Sequence, residues 1–167
     1  MKAQKLLLSR NELAQALAKH RAKNEKIVLA NGCFDILHVG HTRYLGGAKA
    51  EGDILVVAIN SDEGVRKLKG EGRPVLPELE RAELVAALSV VDYVIIFDEP
   101  NVEPLLEAFR PNVHAKGTDY TAKTVPERAV ADRLGIRVAI VGDAKNHSTR
   151  DFLEQLAGNK IAGKKNG

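Results

Sequence analysis

The chain has 167 residues, 44% hydrophobic and 28% charged, a composition that suits one soluble globular domain with a real core. Lys and Arg number 25 against 22 Asp and Glu, and a net charge of +3 argues for neither a nucleic-acid nor a membrane partner, while it suits anionic small molecules. The single cysteine, Cys33, rules out a disulfide framework within the chain and predicts a reducing, cytoplasmic location.

The first expected element is a helix over residues 9–20. Ser9 and Glu12 form a capping-box pattern, and Leu13, Ala16 and Leu17 recur at helical spacing. An apolar run at 27–30 predicts the first strand, roughly 26–30. A turn follows, then a helix over 39–50 closed by Gly52. Residues 54–59 are continuously apolar, as befits a strand buried on both faces of a parallel sheet. The polar cluster Asn60-Ser61-Asp62 ends it. A short helix is expected at 63–68, and Lys69-Gly70-Glu71-Gly72-Arg73-Pro74 reads as a loop.

Residues 78–88 are helical by pattern, and 93–97 form the third strand. Asn101 is expected to cap the next helix, with Pro104 in its first turn and Arg110-Pro111 at its end. A fourth strand at 113–115 precedes Lys116-Gly117-Thr118-Asp119-Tyr120. Thr124 and Glu127 suggest a capping box for a helix that stops at Gly135. Residues 136–141 form the fifth strand, and Ser148 or Thr149 opens a last helix reaching about 157. Strands thus alternate with helices five times. The expected fold is a single-domain, doubly wound α/β structure: a five-stranded parallel sheet with helices on both faces. Residues 1–25 are read as a helical extension packed on a domain at 26–157, and 158–167 as a flexible tail. The site belongs beyond the carboxyl ends of the strands.

The densest chemistry lies in Asn31-Gly32-Cys33-Phe34-Asp35-Ile36-Leu37-His38-Val39-Gly40-His41. Neither G-x-G-x-x-G nor G-x-x-x-x-G-K-[ST] occurs there. Instead, two histidines three apart fall in the first helical turn, where both side chains face one spot and unpaired amides favour an anion. A His-x-x-His pair alone is commonly structural; its place between a strand and a helix makes it a candidate phosphate site.

The whole stretch resembles the nucleotidyltransferase superfamily called cytidylyltransferase-like, whose signature is H-x-G-H after an asparagine-glycine and a phenylalanine-aspartate. The resemblance implies attack by a substrate phosphate on the α-phosphorus of a nucleoside triphosphate, with pyrophosphate leaving. Such a transfer needs positioned donors more than a protein nucleophile. It implies catalytic roles for His38, His41 and Lys49. It places Asn31, Gly32, Cys33, Phe34 and Gly40 at the nucleotide, with Cys33 a small filler. Asp35 is expected to brace the turn on the acceptor side.

Three later motifs narrow the likeness. Asn60-Ser61-Asp62, Leu68-Lys69-Gly70-Glu71-Gly72-Arg73-Pro74 and Glu80-Arg81 resemble the heptose 1-phosphate adenylyltransferases. In that likeness Asn60, Asp62 and Arg73 face the acceptor and Arg81 a phosphate, as a bidentate guanidinium suits. Lys116, Gly117 and Asp119 stand in a K-G-G-D-Y-like run, here with Thr118 for the second glycine. Ser148 and Thr149 match a run that holds outer phosphates, here after His147. The reaction so implied moves AMP from ATP to D-glycero-β-D-manno-heptose 1-phosphate, with Mg²⁺ bridging phosphates and no protein metal cluster. The product would feed lipopolysaccharide or another surface glycan. A CTP-dependent transferase for glycerol 3-phosphate or a similar polyol phosphate is the alternative, and a nucleotide-binding sensor a third reading. Relatives also suggest a homodimer.

Overall fold

A computed structural model describes residues 9–143 and residue 153. The last expected helix and the tail lie outside these residues, as do His147, Ser148 and Thr149.

The described chain runs α1 (Arg10–Ala22), β1 (Ile27–Gly32), α2 (Val39–Ala50), β2 (Ile54–Asn60), α3 (Asp62–Lys69), α4 (Glu78–Ala87), β3 (Tyr93–Phe97), α5 (Glu103–Phe109), β4 (Val113–Gly117), α6 (Arg128–Leu134) and β5 (Arg137–Val141). The strands form one parallel sheet in the order β3-β2-β1-β4-β5. This is the Rossmann-like, doubly wound arrangement.

Alternation along the strands explains the two faces. Val28 and Ala30 of β1, with Leu55, Val57 and Ile59 of β2, pack against Leu45 and Ala48 of α2 and Val85 of α4. Ile27, Leu29, Val56 and Ala58 point the other way, against Leu13 and Leu17 of α1 and Leu105, Leu106 and Phe109 of α5. Every β2 residue is buried, hence its uninterrupted apolar run. The α1 capping box forms, with Ser9 and Glu12 satisfying each other's backbone amides. Gly52 follows α2 where a Cβ would come within 2.8 Å of the Lys26 carbonyl, so only glycine lets the chain pass.

Two caps differ from expectation. Thr124 does not open α6: its hydroxyl accepts the Thr121 amide in a separate turn, and α6 starts only at Arg128 behind Glu127, which makes no side-chain cap. Asn101 accepts the Glu103 amide at 3.1 Å, although the residue at the cap position itself is Val102.

The crevice forms where the winding reverses. β1 pairs with β2 through six residues but with β4 through only three: Val28 with Val113, Leu29 with His114, Ala30 with Ala115. Beyond Ala30 and Ala115 the β1–β4 pairing stops, and Asn31 and Lys116 occupy the opening.

Candidate active site

The turn after β1 is built from its small residues upward. Phe34 adopts a left-handed backbone, φ 48°, and its side chain is buried. A Cβ on Gly32 would lie 3.0 Å from the Phe34 ring, so this glycine makes room for that ring. The ring in turn packs against His41, centroids 5.2 Å apart, and lies beside Tyr44 at 6.4 Å. His41 stacks on His38 at 3.9 Å with 26° between planes. His38 is the residue before α2, in extended conformation, and its carbonyl accepts the His41 amide at 2.9 Å. The chain Gly32–Phe34–His41–His38 therefore sets both imidazoles beside the first turn of α2, with half-buried Gly40 between them. Donors and helix dipole favour an anion there.

Asp35 is a brace. It is 2% exposed, and its carboxylate accepts Arg73 Nε at 2.7 Å and the amides of Val75 and Leu76 at 2.7 and 3.0 Å. Three donors of the 73–76 loop thus hold the carboxylate expected on the acceptor side. The bracing part of that expectation matches the geometry. Arg73 is thereby held at a cleft of ≈340 Å³ lined also by Asp62, Arg66, Gly72, Pro74, Val75 and Pro77.

Arg81 is likewise engaged within the protein. Its side chain is fully enclosed and donates to the Leu76 carbonyl, the Cys33 carbonyl and the Asp62 carboxylate. With its three nitrogens so used and no solvent access, it fastens the turn. Asp62 is committed to Arg81, and its amide donates to Glu78. Asn60 is buried, with Oδ1 3.8 Å from Cys33 Sγ. Burial pushes the Cys33 thiol above its usual value, which keeps it protonated and unreactive.

Lys49 lies further along α2. Eight residues at about 1.5 Å each carry it about 12 Å down α2 from His41, to the opposite edge of the sheet. There Nζ meets the Asp92 carboxylate at 2.5 Å and the Asp53 carbonyl. Asp92 also accepts the Leu55 amide at 2.8 Å, so the pair fixes the entry to β2.

Across the crevice, Lys116 is 6% exposed, its Nζ 3.3 Å from Asn31 Oδ1 and 3.3 Å from the Glu127 carboxylate. The ammonium also sits 4.9 Å over the Tyr120 ring. Gly117 has open space where a Cβ would stand, and Asp119 is exposed. Thr118 has a use of its own: its hydroxyl donates to the Asp143 carbonyl at 2.6 Å, tying the loop after β4 to the one after β5.

Sequence reasoning missed three residues here. Tyr44 donates to the Ala115 carbonyl at 2.8 Å, bridging α2 to β4; burial raises its pKa. Its helical spacing marked only a packing position. Glu127 was read as a cap. His114, wholly buried in β4, has Nε2 3.3 Å from Asn31 Oδ1. Burial, with Lys116 nearby, lowers its pKa to about 3, so the ring stays neutral. No local pattern distinguishes it from any polar residue in a strand.

Two stacked imidazoles thus stand at the N-terminus of α2, and a buried ammonium and a carboxamide stand at the β1–β4 opening. Groups of this kind can hold and polarise phosphates. The profile of the cytidylyltransferase-like family matches residues 29–163, spanning both sides of that crevice. The chain belongs to the cytidylyltransferase-like family. It is a nucleotidyltransferase.

Relatives of this cytidylyltransferase-like chain include the bifunctional protein HldE of Geobacter metallireducens, 46% identical over 144 residues, covering 86% of this chain and 29% of that protein. The bifunctional protein HldE of Koribacter versatilis is 46% identical over 153 residues, covering 92% and 32% respectively. The chain therefore spans about a third of the length of these relatives. Among solved structures, the lipopolysaccharide core biosynthesis protein of Thermoplasma volcanium superposes with TM-score 0.62 at 27% identity, over 72% of this chain and 99% of that one. Among the described residues, no helix is long and apolar enough to cross a membrane.

Proposed function

We propose that the chain transfers AMP from ATP to D-glycero-β-D-manno-heptose 1-phosphate, yielding ADP-heptose and pyrophosphate. The observation that carries the transfer chemistry is the stacked His38–His41 pair at the start of α2, beside the crevice between β1 and β4. A phosphate oxygen of the sugar attacks the α-phosphorus in line, and the bond to pyrophosphate breaks. The two imidazoles and the amides of the first turn of α2 stabilise the charge that gathers on the phosphoryl oxygens. Lys116 holds the nucleotide from the β4 side and Asn31 from the end of β1. Arg73, fixed by Asp35, presents its guanidinium to the cleft of ≈340 Å³ that would take the sugar phosphate. The choice of a heptose rests on the Leu68–Pro74 and Lys116–Tyr120 motifs, and accords with similarity to proteins named HldE and to a lipopolysaccharide core biosynthesis protein.

Among the described residues no group of three or more metal-ligating side chains forms a cage. Asp35, Asp62 and Glu127 already face Arg73, Arg81 and Lys116. These residues do not fit a resident metal site, so Mg²⁺ enters this reading as part of the MgATP substrate.

The test is pyrophosphate release with ATP and with CTP, each against heptose 1-phosphate and glycerol 3-phosphate. Release with ATP and heptose 1-phosphate is expected. Release only with CTP and glycerol 3-phosphate replaces this reading by a polyol-phosphate cytidylyltransferase. Nucleotide binding without release from any pair replaces it by a sensor.

A further inference from the structure

The polar residues across the β1–β4 opening form an ordered line, Glu127–Lys116–Asn31–His114, whose orientation follows from what each group can donate. Lys116 has only donors to offer. The Asn31 atom 3.3 Å from it is therefore the carbonyl oxygen, Oδ1. The same oxygen lies 3.3 Å from His114 Nε2, so that nitrogen carries the hydrogen. A neutral ring has one N–H, which leaves His114 Nδ1 as a lone-pair nitrogen, and it is buried without a hydrogen-bond partner among the described residues. Two donors pin Oδ1. The amide NH₂ of Asn31 is turned the other way and makes no hydrogen bond among the described residues. Asn31 itself is half-buried at the carboxyl end of β1. Glu127, 4% exposed on the far side of Lys116, is the counter-charge that lets an ammonium sit there.

We infer that Glu127 is a positioning residue: it holds Lys116 so that the ammonium, with His114, locks the Asn31 carboxamide with its NH₂ facing the crevice as a donor to the nucleotide's phosphates. The inference rests on the nucleotide-transfer reading of the crevice and adds to it a direction and a support. Its logic is that of preorganisation. A free carboxamide spends part of its time with the oxygen forward, which repels a phosphate; one pinned by a cation does not.

The test uses nucleotide binding without an acceptor, so a wrong choice of sugar phosphate leaves it readable. Affinity for ATP and for CTP is measured by equilibrium dialysis on the whole chain for wild type, Asn31→Ala, Glu127→Gln and the double variant. About tenfold weaker binding is expected from each single change for the nucleotide that binds. The double variant is expected within twofold of Asn31→Ala, because Glu127 acts through Asn31. Full multiplication of the two losses, or wild-type affinity in either single variant, overturns the inference. Asn31→Asp serves if Glu127→Gln does not fold. A carboxylate there pairs with Lys116 and keeps the fold, while an oxygen replaces the forward donor. An unchanged melting temperature with at least tenfold weaker binding is expected; unchanged binding overturns the proposal. The ¹⁵N resonances give a readout that stability does not move. The His114 ring is expected as the Nε2–H tautomer, and the Asn31 NH₂ signal is expected to shift on adding nucleotide. An Asn31 signal indifferent to nucleotide sinks the inference even if the enzyme proves active on heptose 1-phosphate.

Discussion

Arg81 Nη1 donates to the Cys33 carbonyl at 2.5 Å from a side chain with no solvent exposure. A helix residue 48 positions further along the chain thereby holds the backbone of the histidine-bearing turn. The same guanidinium spans the Leu76 carbonyl and Asp62, so one residue ties α4 to the turn, the 73–76 loop and α3. Arg81→Met is expected to cost about 3 to 5 kcal/mol, the range for breaking a buried charged network. Urea unfolding of the two proteins measures it. A loss under 1 kcal/mol contradicts the fastening role.

His41 rests on Phe34 and on His38 by ring contact. His41→Ala is expected to lower the rate constant for pyrophosphate release about a hundredfold to a thousandfold, as loss of one positioned donor does. The thermal midpoint is expected to move by only a few degrees. Steady-state assays and calorimetry on the same preparations check both halves. A His41→Ala enzyme with undiminished turnover removes the histidine pair from the chemistry.

Arg73 has one edge on Asp35 and another at the cleft. If that cleft takes the acceptor, Arg73→Lys keeps the charge but loses the fork. The acceptor KM is expected to rise about tenfold while the ATP KM stays within twofold. Initial rates over a grid of both substrates separate the two, and a change confined to ATP assigns Arg73 to the nucleotide.

His114 makes stability depend on pH in a stated direction. Its folded pKa, about 3, lies below the ordinary 6.5. Below pH 6.5 the unfolded chain takes up a proton that the folded chain refuses, so the unfolded state binds more protons and stability falls with acidification. From this group alone the slope approaches about 1.4 kcal/mol per pH unit until pH nears 3. Denaturation curves at pH 7.5, 5.5 and 4.5 are expected to show wild type losing stability faster than His114→Gln. Parallel losses mean that His114 is not the group responsible.

Much of this architecture is legible in the chain because its signals are local. The capping box at Ser9 and Glu12, the uninterrupted run through β2 and the glycine after α6 each report on neighbours within four residues. The histidine pair is legible for the same reason, since α2 alone brings His38 and His41 together. Contacts that the sequence does not show share another origin. Lys49, Asp35 and Arg81 are polar residues of the right type near the right motif, and their partners lie 43, 38 and 48 positions away in the chain. Only the folded sheet reveals that each is already engaged. Glu127 and His114 escaped notice for the converse reason: their meaning comes from Lys116 and Asn31, which face each other only once β4 has joined β1. Thr124 shows a motif defeated locally, because its hydroxyl found the Thr121 amide first.

The three-residue seam between β1 and β4 has a consequence for how a bound nucleotide acts on the protein. Residues 27–97 form one half-sheet from consecutive neighbours, β1, β2 and β3, while β4 and β5 form the other. The thinnest join in the sheet lies where the crevice opens. A ligand gripping His38 on one side and Lys116 on the other works as a clasp across that join. Its binding energy adds to the cost of parting the halves, by RT ln(1 + [L]/Kd) for any ligand that binds only the closed form. Backbone amides of β4 are therefore expected to exchange with deuterium more slowly when nucleotide is present, and those of β3, on the far edge, to change least. Amide exchange followed by mass spectrometry, with and without ATP, reads that difference strand by strand.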